Sequence, residues 1–184
     1  MKASLVFIDE SGLLMAPLVR RSWAPRGQTP ILRQRTRSRR KVSVIAGLDI
    51  FPDRHRVALV FRLHPDINIR AREIKAFLGQ LERYFKTPLI IVWDRLAAHR
   101  SAEIRRWLQN HRKIHLEFLP PYAPELNPVE LVWSHLKTNG LANLAPTDLS
   151  ELTTKSRLHA RRLQDRPHIL RKMIKHSPLS LRLK

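Results

Sequence analysis

The chain has 184 residues, 43% of them hydrophobic, and carries 35 lysines and arginines against 15 acidic side chains, a formal charge of +20. That charge excludes an ordinary metabolic enzyme as the first reading and points to a polyanionic partner. Twenty-five of the cations are arginine, whose planar fork of donors suits phosphate, so nucleic acid is favoured over an anionic membrane surface. Cysteine is absent, which removes disulfides, thiolate zinc sites and a thiol nucleophile. No apolar run reaches the ~20 residues that span a bilayer. The run Leu5–Ile8 is too short for a secretory signal, so a cytoplasmic location with no membrane partner is expected.

Leu5 to Ile8 reads as a buried strand closed by Asp9-Glu10-Ser11-Gly12. Residues 13–41 form a long connection. It holds a short strand and turn at Trp23–Gly27, where Trp23 reads as packing. It ends in a basic run of Arg33, Arg35, Arg37, Arg39, Arg40 and Lys41, an edge strand or a mobile arm. Val42–Ile50 is a second strand. Pro52-Asp53 turns the chain, and Arg56–Leu63 returns as a hairpin partner. Between 69 and 86 the period changes, and Ile74, Phe77, Leu78, Leu81 and Phe85 mark an amphipathic helix. Leu89–Trp93 is an apolar strand ending at Asp94. Residues 101–111 are a helix, and Ile114–Leu119 a fifth strand. A rigid loop, Pro120–Pro124, leads to a helix from Pro128 to about Lys137. From Thr147 the chain reads as one or two basic helices, capped by Thr147-Asp148 and broken at Pro167. Arg157, Arg161 and Arg162 are among the cations crowding this tail.

Three strands, helix, strand, helix, strand, helix and a helical tail is the element order of a ribonuclease H-like α/β fold. Its mixed five-stranded sheet is flanked by helices, with the later strands parallel to the first. The expected division is a catalytic domain over 1–145 and a basic helical C-terminal extension over 146–184.

In that order the first and fourth strands are neighbours. Asp9 and Asp94 at their ends then meet, and the helix after the fifth strand presents Glu130 to the same spot. Three converging carboxylates are costly without cations, and magnesium or manganese prefers such hard oxygen ligands. Two ions about 3.5–4 Å apart would clamp the attacking and leaving oxygens of a phosphodiester. A basic protein with that site is a metal-dependent nuclease or phosphoryl transferase.

Each residue has a competing structural reading. Asp9 before Ser-Gly is also turn chemistry, and Asp94 also caps a loop. Glu130 falls at N3 of a helix capped by Asn127 with Pro128 at N1, a capping-box position. Glu10 points away from Asp9 and reads as structural or solvent-facing. His99 is read as a substrate-phosphate contact or a satisfied histidine. Asp49, ending the second strand, is read as structural rather than as an outer carboxylate of the site.

Phe7-Ile8-Asp9-Glu10-Ser11-Gly12 with Trp23-Ala24-Pro25-Arg26-Gly27 resembles the first block of bacterial insertion-sequence transposases of the mariner superfamily. Val92-Trp93-Asp94 with His99 is similar to the second. The third is the long run Leu119-Pro120-Pro121-Tyr122-Ala123-Pro124-Glu125-Leu126-Asn127-Pro128-Val129-Glu130, followed by Val132-Trp133 and Leu136-Lys137. Thirty-five residues separate Asp94 from Glu130, close to the family's spacing. The resemblance covers roughly 5–140. It implies a DDE polynucleotidyl transferase of retroviral-integrase fold. Asp9, Asp94 and Glu130 would be its catalytic and metal-ligating residues, binding two Mg2+ or Mn2+ ions. The enzyme would cleave insertion-sequence ends and join them to target DNA.

DNA contacts are expected from Arg33, Arg35, Arg37, Arg39, Arg40, Lys41, His99, Arg157, Arg161 and Arg162. The joining of two ends leaves a homodimer open, and a nucleoid-associated location follows from the activity. Arg95 stands where the family often has Asn. The family's helix-turn-helix module has no counterpart in these 184 residues and is expected in a separate or frameshifted upstream reading frame. The alternative function is a catalytically inactive remnant that binds DNA without sequence choice. A junction resolvase or ribonuclease would share the fold, but the third block argues against it.

Overall fold

A computed structural model of the chain describes residues 2–16, 18–33, 40–179 and 181–184. Arg35, Arg37 and Arg39 of the basic run therefore lie outside the described residues. Side chains of a strand alternate between the two faces of its sheet, and this alternation sets the layers. In β1 (Ser4–Leu14), Phe7 and Leu13 enter one core while Val6 and Ile8 enter the other. Around β1 stand β2 (Lys41–Ile50), β3 (Val57–Pro65), β4 (Leu89–Trp93) and β5 (Ile114–Phe118), in the order β3-β2-β1-β4-β5. β2 and β3 continue antiparallel from β1, whereas β4 and β5 run parallel to it. This is the mixed five-stranded sheet expected from the element order.

One face is covered by α1 (Ala71–Tyr84) and α2 (Ala102–Gln109), through Ile74, Phe77, Leu78, Leu81 and Ile104. The other is covered by α3 (Val129–His135), α4 (Leu149–Gln164) and α5 (Pro167–His176). Val132, Trp133, Leu152, Leu163 and Ile174 pack there with Phe7, Val44 and Leu48 of the strands. The local signals act as their chemistry dictates. Ser101 accepts the Ile104 N–H to cap α2, Asp148 accepts the Glu151 N–H to cap α4, and Pro167 opens α5. Asp53 accepts the His55 and Arg56 N–H groups and closes the β2–β3 turn.

Five expectations are corrected. β1 does not end at Asp9 but continues through Glu10-Ser11-Gly12 to Leu14, because β2 pairs with it from Leu5↔Ile50 to Leu14↔Lys41. Pairing with β4 stops at Phe7↔Val92, so Asp9 lies mid-strand on a stretch flanked on one side only. Residues 23–27 form a turn, with Gln28 N–H donating to Pro25 at 3.0 Å and Gly27 at φ +83°, but no strand. Trp23 is fully exposed there rather than packed. Lys41 opens β2, an interior strand, so the described end of the basic run is no edge strand. The helix expected to about Lys137 is α-helical only to His135, and Leu136–Gly140 form a π-helical turn.

Candidate active site

Asn127 fixes the geometry of the site. It is buried, and its side-chain amide donates to the Ile8 carbonyl at 2.9 Å while its carbonyl oxygen accepts the Val129 N–H at 3.2 Å. One residue thus ties the first turn of α3 to the middle of β1. Glu130 then stands exposed in that turn, and its side chain makes no hydrogen bond among the described residues, so the expected capping-box bond is absent. Its backbone N–H donates to the Asn127 carbonyl instead. One turn on, Trp133 has its ring in the core and donates its indole N–H to Asp9 Oδ2 at 2.6 Å.

Asp94 follows the last residue of β4. Its Oδ1 accepts the Leu96 N–H at 3.0 Å and lies 2.6 Å from His99 Nδ1. The other ring nitrogen of His99 lies 3.0 Å from Glu10 Oε1. The imidazole is stacked flat on Trp93, centroids 4.3 Å apart and planes 3° from parallel. Glu10 and Asp9 are consecutive and so leave β1 on opposite faces. Asp9 faces α3, and Glu10 reaches Asp94 through a buried histidine. Each aspartate therefore has one oxygen held by a buried aromatic donor.

Burial pushes the Asp9 carboxyl up to about 7, with the charges of Glu130 and Glu10 adding to it and the Trp133 and Glu10 N–H groups opposing it. Burial works to lower the His99 pKa. The hydrogen bond and charge of Glu10, with the charge and carbonyl of Asp94, outweigh it and hold the ring above its ordinary value.

Asp9, Asp94 and Glu130 line one cleft of about 640 Å³, together with Arg95, Arg100 and the Pro120–Pro124 loop. Arg95 donates to the Leu119 carbonyl at 3.2 Å, tying the end of β4 to that loop. Tyr122 stands fully exposed at the cleft with φ +57°. Among the described residues no three His, Asp or Glu side chains sit close enough together to enclose one ion. The donors do fit a hard divalent cation in chemistry: carboxylate oxygens, one of them on a half-buried group whose charge a cation would stabilise.

The other expected residues are dispersed. His99 is 2% exposed with both nitrogens engaged, so it stands behind Asp94 and not at the surface where a phosphate contact was expected. Arg33 is exposed on the connection, and Arg40 is exposed and paired with Asp66 at 3.0 Å. Lys41 is half-buried at the start of β2, and Arg157, Arg161 and Arg162 are exposed on α4. Asp49 pairs opposite Val6 on β2 and does not line the cleft. Sequence reasoning missed the Trp133 and Glu10 contacts. Trp133 three residues after Glu130 was a signal for the first. Nothing local to Glu10 signals the second, since His99 is 89 residues away.

Residues 4–153 match the DDE superfamily endonuclease family. The uncharacterized protein y4pE/y4sA of Sinorhizobium fredii is 43% identical over 54 residues, 29% of this chain and 40% of that one. Among solved structures, the Mos1 transposase paired-end complex with left transposon end matches with a TM-score of 0.62 at 16% identity, over 95% of this chain and 55% of that one. The mariner Mos1 paired-end complex with Mg matches at 0.60 and 18%, over 94% and 52%. The catalytic domain of Mos1 mariner transposase matches at 0.50 and 14%, over 97% and 84%. These likenesses show the shared fold. This chain spans about half the length of the Mos1 chains in the two paired-end complexes and less than half of the curated relative.

Proposed function

This chain belongs to the DDE superfamily endonucleases, and on that premise we propose that it is the catalytic part of a transposase, cutting the ends of a DNA element and joining them to target DNA. The observation that carries this reading is the single cleft onto which β1, the end of β4 and the start of α3 bring Asp9, Asp94 and Glu130. Those three carboxylates would hold Mg2+ or Mn2+, two ions by the chemistry of phosphodiester displacement. Bound there, they would polarise the attacking and leaving oxygens.

The chain's own residues do the rest. Trp133 fixes the rotamer of Asp9, and the Glu10–His99 pair fixes that of Asp94. Arg95 and Arg100 place positive charge beside the carboxylates, where the phosphodiester would lie. The other exposed arginines would hold the DNA by its phosphates, which gives affinity without sequence choice. Recognition of the element's ends is assigned to a helix-turn-helix module encoded outside these residues, and a dimer is the assembly that would join two ends.

The test is cleavage of duplex DNA carrying an element end in Mg2+ or Mn2+, alongside calorimetric titration of Mn2+. Cleavage that needs the metal and is lost in Asp94→Asn and Glu130→Gln is expected. Cleavage unchanged in those variants would overturn the assignment.

A further inference from the structure

Away from the cleft, α3 ends in a second concave site. The π-helical turn Leu136–Gly140 and α4 enclose a pocket of about 320 Å³ lined by His135, Asn139, Gly140, His159, Arg162 and Arg166. No carboxylate lines it, and neither arginine has an ion-pair partner among the described residues. Two details show that the pocket is built. A side chain at Gly140 would put its Cβ 2.7 Å from His159 Cγ, so only glycine lets the imidazole sit directly on the turn. The carbonyls near the end of a helix ordinarily repel an anion, and here those of Ser134, His135 and Leu136 are engaged. Thr138 Oγ1 donates to Ser134 O at 2.7 Å, Asn139 Nδ2 to His135 O at 3.3 Å, and Leu141 N–H to Leu136 O at 2.9 Å.

We propose that this pocket is a phosphate-binding subsite, in which Arg162, Arg166 and His159 hold a backbone phosphate of the bound DNA. Two cationic forks converging without an acid are a donor set for an oxyanion rather than a metal or an apolar ligand. Both histidines fit such a field. Burial, followed by the charge of Arg166, keeps His135 below its ordinary pKa, and burial followed by Arg162 and Lys155 does the same to His159. The placement suits a DNA path through the cleft. Glu130 opens α3 in the cleft and His135 closes it in the pocket, five residues or about 7.5 Å along the axis, roughly the rise of two nucleotides of one strand.

The subsite rests on the DNA reading above, and the experiment separates their failures. Binding of a duplex to the full chain is followed by fluorescence anisotropy over a salt series. The variants are Arg162→Gln/Arg166→Gln, Gly140→Ala, and a charge-matched control on the opposite face, Arg72→Gln/Arg83→Gln. Thermal melts confirm folding. The pocket double variant should bind roughly tenfold more weakly at low salt and lose about 0.9 from the salt slope, one phosphate's share. The control pair should change less than half as much. Gly140→Ala, which displaces His159, should weaken binding in the same direction. If Gly140→Ala does not fold, the exposed arginine pair alone decides. Equal effects of the two arginine pairs would overturn the subsite and leave the DNA reading standing. Wild-type chain without salt-dependent DNA binding would overturn both.

Discussion

Two aspartates on the same sheet, one half-buried and one fully buried, make an instructive pair. Asp9 on β1 and Asp49 on β2 stand three residue pairs apart in the register and face opposite sides of the sheet. Burial pushes both carboxyls up to about 7. Their surroundings then diverge. Asp9 receives an indole N–H and opens on a cleft shared with two other carboxylates. Asp49 is fully buried, and neither of its oxygens has a hydrogen-bond partner among the described residues. A raised carboxyl pKa therefore reports burial, which both share. What sets Asp9 apart is the cleft it lines with Asp94 and Glu130, which Asp49 does not reach.

The largest test of that contrast is cleavage. Asp9→Asn should lower the metal-dependent rate at least about a thousandfold, some 4 kcal/mol of barrier, whereas Asp49→Asn should stay within roughly twofold. Equal losses in the two variants would mean that burial, not placement, is what activity requires.

Stability should separate them next. The Asp49 carboxyl titrates near 7 in the fold and near 3.8 unfolded, so the folded state binds its proton more tightly. Its cost is absent below about pH 3.8, grows as the pH rises, and is complete above about pH 7, at most roughly 4 kcal/mol. Asp49→Asn should therefore raise the unfolding free energy at pH 8 but not at pH 4, by less than that limit because the amide keeps unmet hydrogen bonds. Denaturant unfolding at the two pH values measures it. A gain independent of pH would show that the carboxylate charge is not its source.

The comparison also shows how far the chain could be read from its letters. Period and punctuation were sufficient for α1, where Ile74, Phe77, Leu78 and Leu81 repeat at helical spacing and are all buried. They were sufficient too for α4 and α5, whose Asp148 cap and Pro167 are local chemistry. They failed in β1. Asp-Glu-Ser-Gly looks like a strand end, but pairing with a partner more than thirty residues away overrides that polarity. For the site, Asp94 and Glu130 stood at predictable places, the end of β4 and the start of α3, whereas Asp9 proved to lie mid-strand. Their supports were not legible. The Glu10–His99–Asp94 chain is assembled across the sheet, and the Asn127 amide finds Ile8 119 residues away. Such contacts follow from register, which no local pattern contains.

These supports give two smaller tests on the active side of the comparison. His99→Gln removes the ring that links Glu10 to Asp94 and stacks on Trp93. Loss of a group that orients a ligand commonly costs about 10–100-fold. The rate should fall within that range, with weaker Mn2+ binding by calorimetry. Glu10→Gln keeps a hydrogen-bond acceptor for His99 and should fall less. A Glu10→Gln loss as large as that of Asp94→Asn would make Glu10 a ligand in its own right.

The smallest effect should come from Trp133→Phe. The substitution keeps an aromatic ring in the core beside Val132 and Phe7 while deleting only the N–H that reaches Asp9 Oδ2. Packing is largely retained, so the melting temperature should move little. The carboxyl of Asp9 loses its one side-chain donor and gains rotational freedom. Cleavage should drop by roughly tenfold at limiting Mg2+ and recover part of that loss at high Mg2+, because a misoriented ligand weakens metal binding before it weakens chemistry. A variant with wild-type rate and metal requirement would show that the Asp9 carboxyl is held by the strand alone, and that the indole serves the core only.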